Sequence, residues 1–216
     1  MFKADNERRA LSLGLSALLL TMAACAGQRV AVPPRIDLTE YQVVGLVKFS
    51  CNEEGGLDEY VTEQFLEYVL AGQPGVRVLE LPSEADLLAS TGYRSLGPEA
   101  LVAIGERYRV ASIITGDLQV EDVKPKVNLM TIISSLSVRA DVQARLTARM
   151  VEASSGATIW RSSADAEKTV GEVQAFGDGT VLFDAEDPDR AYGDLVAALV
   201  DIVTTDFRVT WQRVRK

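Results

Sequence analysis

The thiols of Cys25 and Cys51 are the first candidates for chemistry in this sequence. A cysteine becomes a strong nucleophile when a neighbouring imidazole or cation draws off its proton, but the chain contains no histidine. The same absence excludes serine nucleophiles activated by histidine, and zinc or iron sites with histidine ligands. No glycine-rich phosphate-binding motif is present either. We therefore predict that the protein is not an enzyme and that it has no catalytic residue, metal or cofactor.

The N-terminal residues have the order of an export signal. A polar head with three basic side chains precedes an apolar stretch at residues 10–24, which is shorter than the roughly 20 residues that span a hydrocarbon core. The run Thr21-Met22-Ala23-Ala24-Cys25 resembles a lipobox, in which a cysteine after small residues is acylated and becomes the new N-terminus. We predict a signal peptide over residues 1–24 and lipidation of Cys25. The alternative is an ordinary secretory signal with an incidental cysteine.

Acylation of Cys25 would hold the protein at a membrane, because each buried methylene contributes about 0.8 kcal/mol. Lipoproteins kept in the inner membrane carry an Asp after this cysteine, whereas Ala26 stands here, so the resemblance implies the periplasmic face of the outer membrane. Removal of the signal changes the formal net charge from −9 to −10. We expect no nucleic-acid partner, because phosphate backbones are bound by clustered Lys and Arg. The remaining thiol, on Cys51, is expected to be buried.

The rest of the sequence predicts one domain over residues 41–216, after the lipidated cysteine and a short linker over residues 25–40. A nearly continuous apolar run from Tyr41 to Phe49 indicates a central strand that is covered on both faces. Apolar residues at helical spacing predict helices after this strand and at the end of the chain. The starts of these helices are marked by the Gly55-Gly56 break and by Ser83, Pro98 and Asp187-Pro188.

Strict alternation of apolar and polar residues from Val138 to Met150 predicts a strand with one solvated face. A turn at Ser154-Ser155-Gly156 and a return strand from Ala157 to Val170 complete an antiparallel hairpin. The final helix is predicted to be the last element of the chain. Its packing stripe is formed by Leu195, Leu199, Ile202, Val203 and Phe207. The fold class predicted from these elements is α/β (α+β), with a mixed, mostly antiparallel sheet and helices packed on it.

Two segments of the chain resemble the CsgG and TolB N-terminal group of envelope proteins. They are Ala111-Ser112-Ile113-Ile114-Thr115-Gly116 and the stretch from Ala148 to Trp160 around Ser154-Ser155-Gly156. The resemblance implies an α/β sandwich and a lipid-anchored periplasmic protein that binds an envelope protein complex and assists its assembly or regulation. The alternative within the same group is a CsgG-like outer-membrane secretion channel subunit, which would act as a homo-oligomer.

Two surface features are candidates for partner binding. The first is a row of arginines on the alternating strand, Arg139, Arg145 and Arg149, which could bind a carboxylate-bearing partner or form intramolecular ion pairs. The second is the apolar segment from Val127 to Leu136, which precedes the alternating strand. This segment could dock on a partner or on lipid, or fold back over a sheet edge. Its candidate residues are Leu129, Met130, Ile132 and Ile133.

Overall fold

A mixed β-sheet with packed helices is the main feature of the computed structural model, which describes residues 28–53, 55–126, 138–175, 181–182 and 188–214. The chain divides into two compact units, one from Pro34 to Arg208 and one made of Met1–Pro33 with Val209–Lys216. The strands are β1 (Gln28–Val32), β2 (Val44–Lys48), β3 (Ser50–Cys51), β4 (Val78–Ser83), β5 (Ser112–Lys126), β6 (Val138–Glu152), β7 (Thr158–Ala175), β8 (Val181–Leu182) and β9 (Thr210–Val214). The helices are α1 (Leu57–Gly72), α2 (Glu84–Thr91), α3 (Pro98–Tyr108) and α4 (Pro188–Val203).

The sheet lies in the larger unit and has the strand order β4-β2-β5-β6-β7-β8. Strand β2 runs parallel to both of its neighbours, and the short β3 also runs parallel to β5. From β5 onward each strand is antiparallel to the one before it; the ladders of β6 with β5 and with β7 are long, whereas that of β7 with β8 is short. The predicted mixed, mostly antiparallel sheet with helices packed on it is therefore confirmed.

Helices cover the two faces of the sheet unequally. Because successive residues of a strand point to opposite faces, Leu46 and Val47 of β2 enter different buried clusters. The Leu46 cluster is the larger one and includes the apolar stripes of α1 and α4. The Val47 cluster is packed under α2 and α3, which are shorter. Among the described residues, the second face consequently has helical cover only where these two helices lie.

The helix starts follow the local signals that predict them. The Ser83 side chain accepts a hydrogen bond from the backbone N–H of Asp86 at 3.3 Å and so caps α2. Helix α3 begins at Pro98, where the missing N–H costs no intrahelical bond. Along α1 the buried residues recur at helical spacing, as predicted: Leu57, Val61, Phe65 and Val69.

Several elements differ from the predictions. The C-terminal helix is not the last element, because β9 follows it and pairs with β1, which lies in the stretch predicted as linker. Ile202 is 50% exposed and does not pack, since the buried stripe of α4 runs through Val196 and Val200 instead. The alternating segment from Val110 to Val120 predicts a strand that ends at Lys124-Pro125, but β5 continues to Lys126. Pro125 is tolerated because the ladder to β6 is irregular just before it, between Glu121 and Lys124. Among the described helices, none combines the length and the apolar character that crossing a membrane requires.

An ion pair joins β2 to the first turn of α1. Lys48 Nζ lies 2.8 Å from Asp58 Oδ2, and both side chains are about one-third exposed. Burial of Asp58 is the largest single effect on the pKa of its carboxyl and raises it, but the hydrogen bond and the charge of Lys48, together with hydrogen bonds from backbone N–H groups at the start of α1, outweigh burial and lower this pKa. A carboxyl with a lowered folded-state pKa stabilises the fold above its unfolded pKa of about 3.9, and this stabilisation is lost as pH falls through the folded-state pKa.

We therefore expect Asp58→Asn to lower the free energy of unfolding at neutral pH by up to about 1 kcal/mol, the usual range for such exposed pairs. The difference from wild type should close as the pH falls below about 4. Urea unfolding at several pH values measures it, with Glu67→Gln on the exposed side of α1 as the control. A difference that stays constant down to acid pH would show that the ion pair is not its cause.

Candidate partner-binding face

The polar face of β5, β6 and β7 is an exposed array of functional groups in the described part of the sheet. On β6, alternate side chains are buried under α1 and α4: Val142, Ala144, Leu146, Ala148 and Met150. The residues between them point to the opposite face and are exposed or half-buried: Gln143, Arg145, Thr147 and Arg149. We call this surface the open face. The alternation that predicts one solvated side of this strand is confirmed.

The ladder register assembles the open face from three strands. In antiparallel pairing, residues directly opposite each other share a face. Three cross-strand rows result, each with one residue of β5, β6 and β7 in that order: Gln119-Arg145-Asp165, Asp117-Thr147-Ser163 and Thr115-Arg149-Arg161. The open face therefore presents carboxylates, hydroxyls and guanidinium groups side by side.

Arg145 forms an intramolecular ion pair. Its Nε donates to Asp165 Oδ1 at 2.6 Å, and the two side chains are 52% and 68% exposed. This hydrogen bond raises the pKa of the Arg145 guanidinium. An exposed pair of this kind contributes little to stability, so a partner carboxylate could displace Asp165 at little cost. At Arg145 the arginine row therefore forms an intramolecular ion pair, which is one of the two arrangements expected from the sequence.

Arg149 is held differently, at the border between the open face and the helical cover. Its Nε donates to Thr115 Oγ1 at 3.1 Å and its terminal nitrogen to the carbonyl of Leu96 at 3.4 Å. Arg161 lies directly opposite it and is exposed. Within the described residues, neither guanidinium lies within 4.0 Å of a carboxylate. This pair is thus positively charged and could bind a carboxylate or phosphate group in a bidentate manner.

An open groove of about 350 Å³ runs along the other end of this face. Its charged lining consists of Glu121, Arg145, Asp165 and Glu167. The groove is acidic, whereas the row through Arg149 is basic. A surface with both signs suits a protein partner with complementary charges better than a polyanion.

The remaining predicted site residues are placed as follows. Arg139 lies on β6 opposite Lys126, next to an irregularity in the ladder between Val138 and Ala140. Cys25, Leu129, Met130, Ile132 and Ile133 lie outside the described residues. Cys51 is partly buried against the core, and burial raises the pKa of its thiol, which keeps it protonated and weakly nucleophilic. Asp165 and Thr115, which contact the arginines, were not among the predicted site residues.

Comparison with known proteins shows only distant likeness. No protein-family model and no curated protein matches the chain. Its fold is similar to the PelC dodecamer from Paraburkholderia phytofirmans, with a TM-score of 0.48 and 12% identity over 88% of this chain and 99% of that chain. The hypothetical protein CT253 from Chlamydia trachomatis gives 0.45 and 12% over 75% and 93%. Lipoprotein GNA1162 from Neisseria meningitidis gives 0.34 and 14% over 59% and 83%. At this level of identity the likenesses concern the fold alone.

Proposed function

We propose that this chain is a non-catalytic lipoprotein, anchored through Cys25 at the periplasmic face of the outer membrane, that binds an envelope protein with its open face. The observation that carries the proposal is the open face itself, where three long strands of the sheet have one polar side and another side packed under two helices. An acyl anchor would bring this surface to the envelope without requiring the fold to touch lipid.

The charge pattern of the open face supports a protein partner. Arg149 and Arg161 are set side by side by the register, and like charges directly opposite each other destabilise a ladder unless an anion neutralises them. A partner carboxylate would supply that anion through charge-assisted hydrogen bonds. The repulsion between the two arginines lowers the stability of the free protein, and binding of the partner carboxylate would remove this repulsion.

The resemblance to the CsgG and TolB N-terminal group supports the same proposal. The segments that carry it lie on adjacent strands, since Ser112–Gly116 belongs to β5 and the second segment forms the turn between β6 and β7. Thr115, in the first segment, accepts one of the two hydrogen bonds from the Arg149 side chain. The resemblance thus falls on the part of the chain that builds the open face.

One experiment in living cells tests both the anchor and the face. A photo-crosslinking amino acid replaces Ser163 on the open face or, as the control, Glu63 on the exposed side of α1, and the cells are fed an alkyne fatty acid. We expect fatty-acid label on the protein, and a crosslink to one envelope protein from position 163 but not from position 63. Cys25→Ser should lose the label and most of the crosslink, because the protein is no longer concentrated at the membrane.

The second cysteine provides the matched control. Cys51→Ser removes a thiol that the anchor does not use, so both the label and the crosslink should persist. A wild-type protein without label would contradict the anchor. Equal crosslinking from positions 163 and 63 would contradict the assignment of the open face, and crosslinks only between copies of this chain would favour the channel alternative.

A further inference from the structure

The small ribbon of β1 and β9 gathers two arginines and a tryptophan on one side. Arg29 lies directly opposite Arg213, and Ala31 lies directly opposite Trp211. Opposed residues of an antiparallel pair share a face, and so do residues two apart along a strand. Arg29, Trp211 and Arg213 therefore project from the same side of the ribbon, which we call the Arg-Trp-Arg face.

The exposure of these three side chains to water is energetically unfavourable. Trp211 is 66% exposed, more than any other large apolar residue among the described ones. The two arginines are exposed and lie across from each other, and within the described residues neither contacts a carboxylate. Opposed like charges destabilise a strand pair, and an exposed indole leaves apolar area in water. An anionic surface with an apolar layer beneath it would relieve both costs.

The position of the ribbon in the chain brings such a surface within reach. This step rests on the proposed anchor at Cys25. Strand β1 begins at Gln28, three residues later, and an extended chain spans at most about 3.6 Å per residue. The ribbon thus begins within about 11 Å of the acylated cysteine, whose chains lie in the bilayer. The headgroup layer on each side of the hydrocarbon core is itself roughly 5–7 Å thick.

We infer that the Arg-Trp-Arg face is a second membrane contact, which lies on the phospholipid headgroups beside the acyl anchor. Tryptophan is enriched at membrane interfaces, where its ring meets the acyl boundary and its N–H stays with polar groups. Arginine binds phosphate oxygens in a bidentate manner. The contact is local, because the mature chain as a whole is acidic and is not attracted to anionic lipid. It would fix the direction in which the ribbon leaves the membrane.

Tryptophan fluorescence in lipid vesicles tests the inference. The full-length mature protein, purified from cell membranes, is reconstituted into vesicles of phosphatidylethanolamine and phosphatidylglycerol that contain brominated phospholipid. The chain has two tryptophans, and Trp160 is 5% exposed within the core, so contact quenching by bromine should come from Trp211. We expect Trp211→Phe to remove most of the quenching. Replacing both Arg29 and Arg213 with Gln should reduce it and remove its dependence on salt.

Arg77→Gln is the charge control, because Arg77 is an exposed arginine outside the ribbon and its loss should leave the quenching unchanged. The fatty-acid content of the same preparation distinguishes a failure of the proposed anchor at Cys25 from a failure of the membrane contact by the Arg-Trp-Arg face. Protein that carries acyl chains but shows no Trp211 quenching overturns the membrane contact and leaves the anchor intact. Protein without acyl chains overturns the anchor and the inference that rests on it.

Discussion

Replacement of Phe207 by alanine is expected to lower the free energy of unfolding by about 3–5 kcal/mol, the usual cost of deleting a buried phenyl ring. Phe207 is 0% exposed at the end of the turn that follows α4. Its ring lies 4.5 Å from the Trp160 ring and 6.2 Å from Phe65, in an edge-on arrangement with the latter. Phe65 in turn contacts Phe49 at 5.0 Å. The substitution therefore leaves a cavity in the centre of an aromatic cluster that joins α1, β7 and the C-terminal turn.

Urea unfolding followed by circular dichroism measures this loss. Ile202→Ala is the control, because Ile202 is an apolar residue of the same C-terminal region but is half-exposed, and its truncation should cost less than about 1 kcal/mol. The fluorescence of Trp160 should also change in Phe207→Ala, since the ring packed against it is removed. Equal destabilisation by the two substitutions would show that Phe207 does not occupy the core position described here.

Gln73→Leu is expected to cost about 3 kcal/mol although it places an apolar side chain in a buried site. Gln73 is 5% exposed at the C-terminal end of α1. Its Oε1 accepts the backbone N–H of Leu38 at 2.6 Å, and its Nε2 donates to the carbonyls of Ile36 and Phe207. One amide thus satisfies three backbone groups on two segments far apart in the chain. Leucine leaves these groups without partners, and each unsatisfied buried group costs about 1–3 kcal/mol.

Gln73→Glu is the matched test, because it keeps the shape but makes stability depend on pH. An ionised carboxylate can accept from Leu38 but cannot donate to the two carbonyls, so the fold favours the protonated acid and its folded-state pKa is raised. The stabilisation is then present below the unfolded pKa of about 4.3 and is lost as pH rises through the folded-state pKa. The deficit relative to wild type should widen from pH 4 to pH 7 in urea unfolding. A deficit that does not change with pH would contradict the three-bond description.

The open face was partly predictable from sequence. Alternation along β6 correctly places Arg145 and Arg149 on the solvated side, because burial of one strand face imposes a period of two. Their contacts were not predictable. The ladder shifts by one residue between Met150 and Val151, and without that shift Arg149 would lie opposite Trp160 instead of Arg161. A bulge of this kind depends on how the turn and the core pack together, and no local sequence pattern predicts it.

Features of this protein that have local causes can be predicted from its amino-acid sequence. The absence of histidine is read directly from the composition. A few neighbouring residues are enough to recognise the order of the N-terminal segment, the starts of α2 and α3 and the alternation of β6. Contacts between segments that are far apart in the chain depend on how the whole domain packs. Strand β1 pairs with β9 almost a full chain length away, and Gln73 joins Leu38 to Phe207, since backbone groups that lack local partners must find distant ones when they are buried.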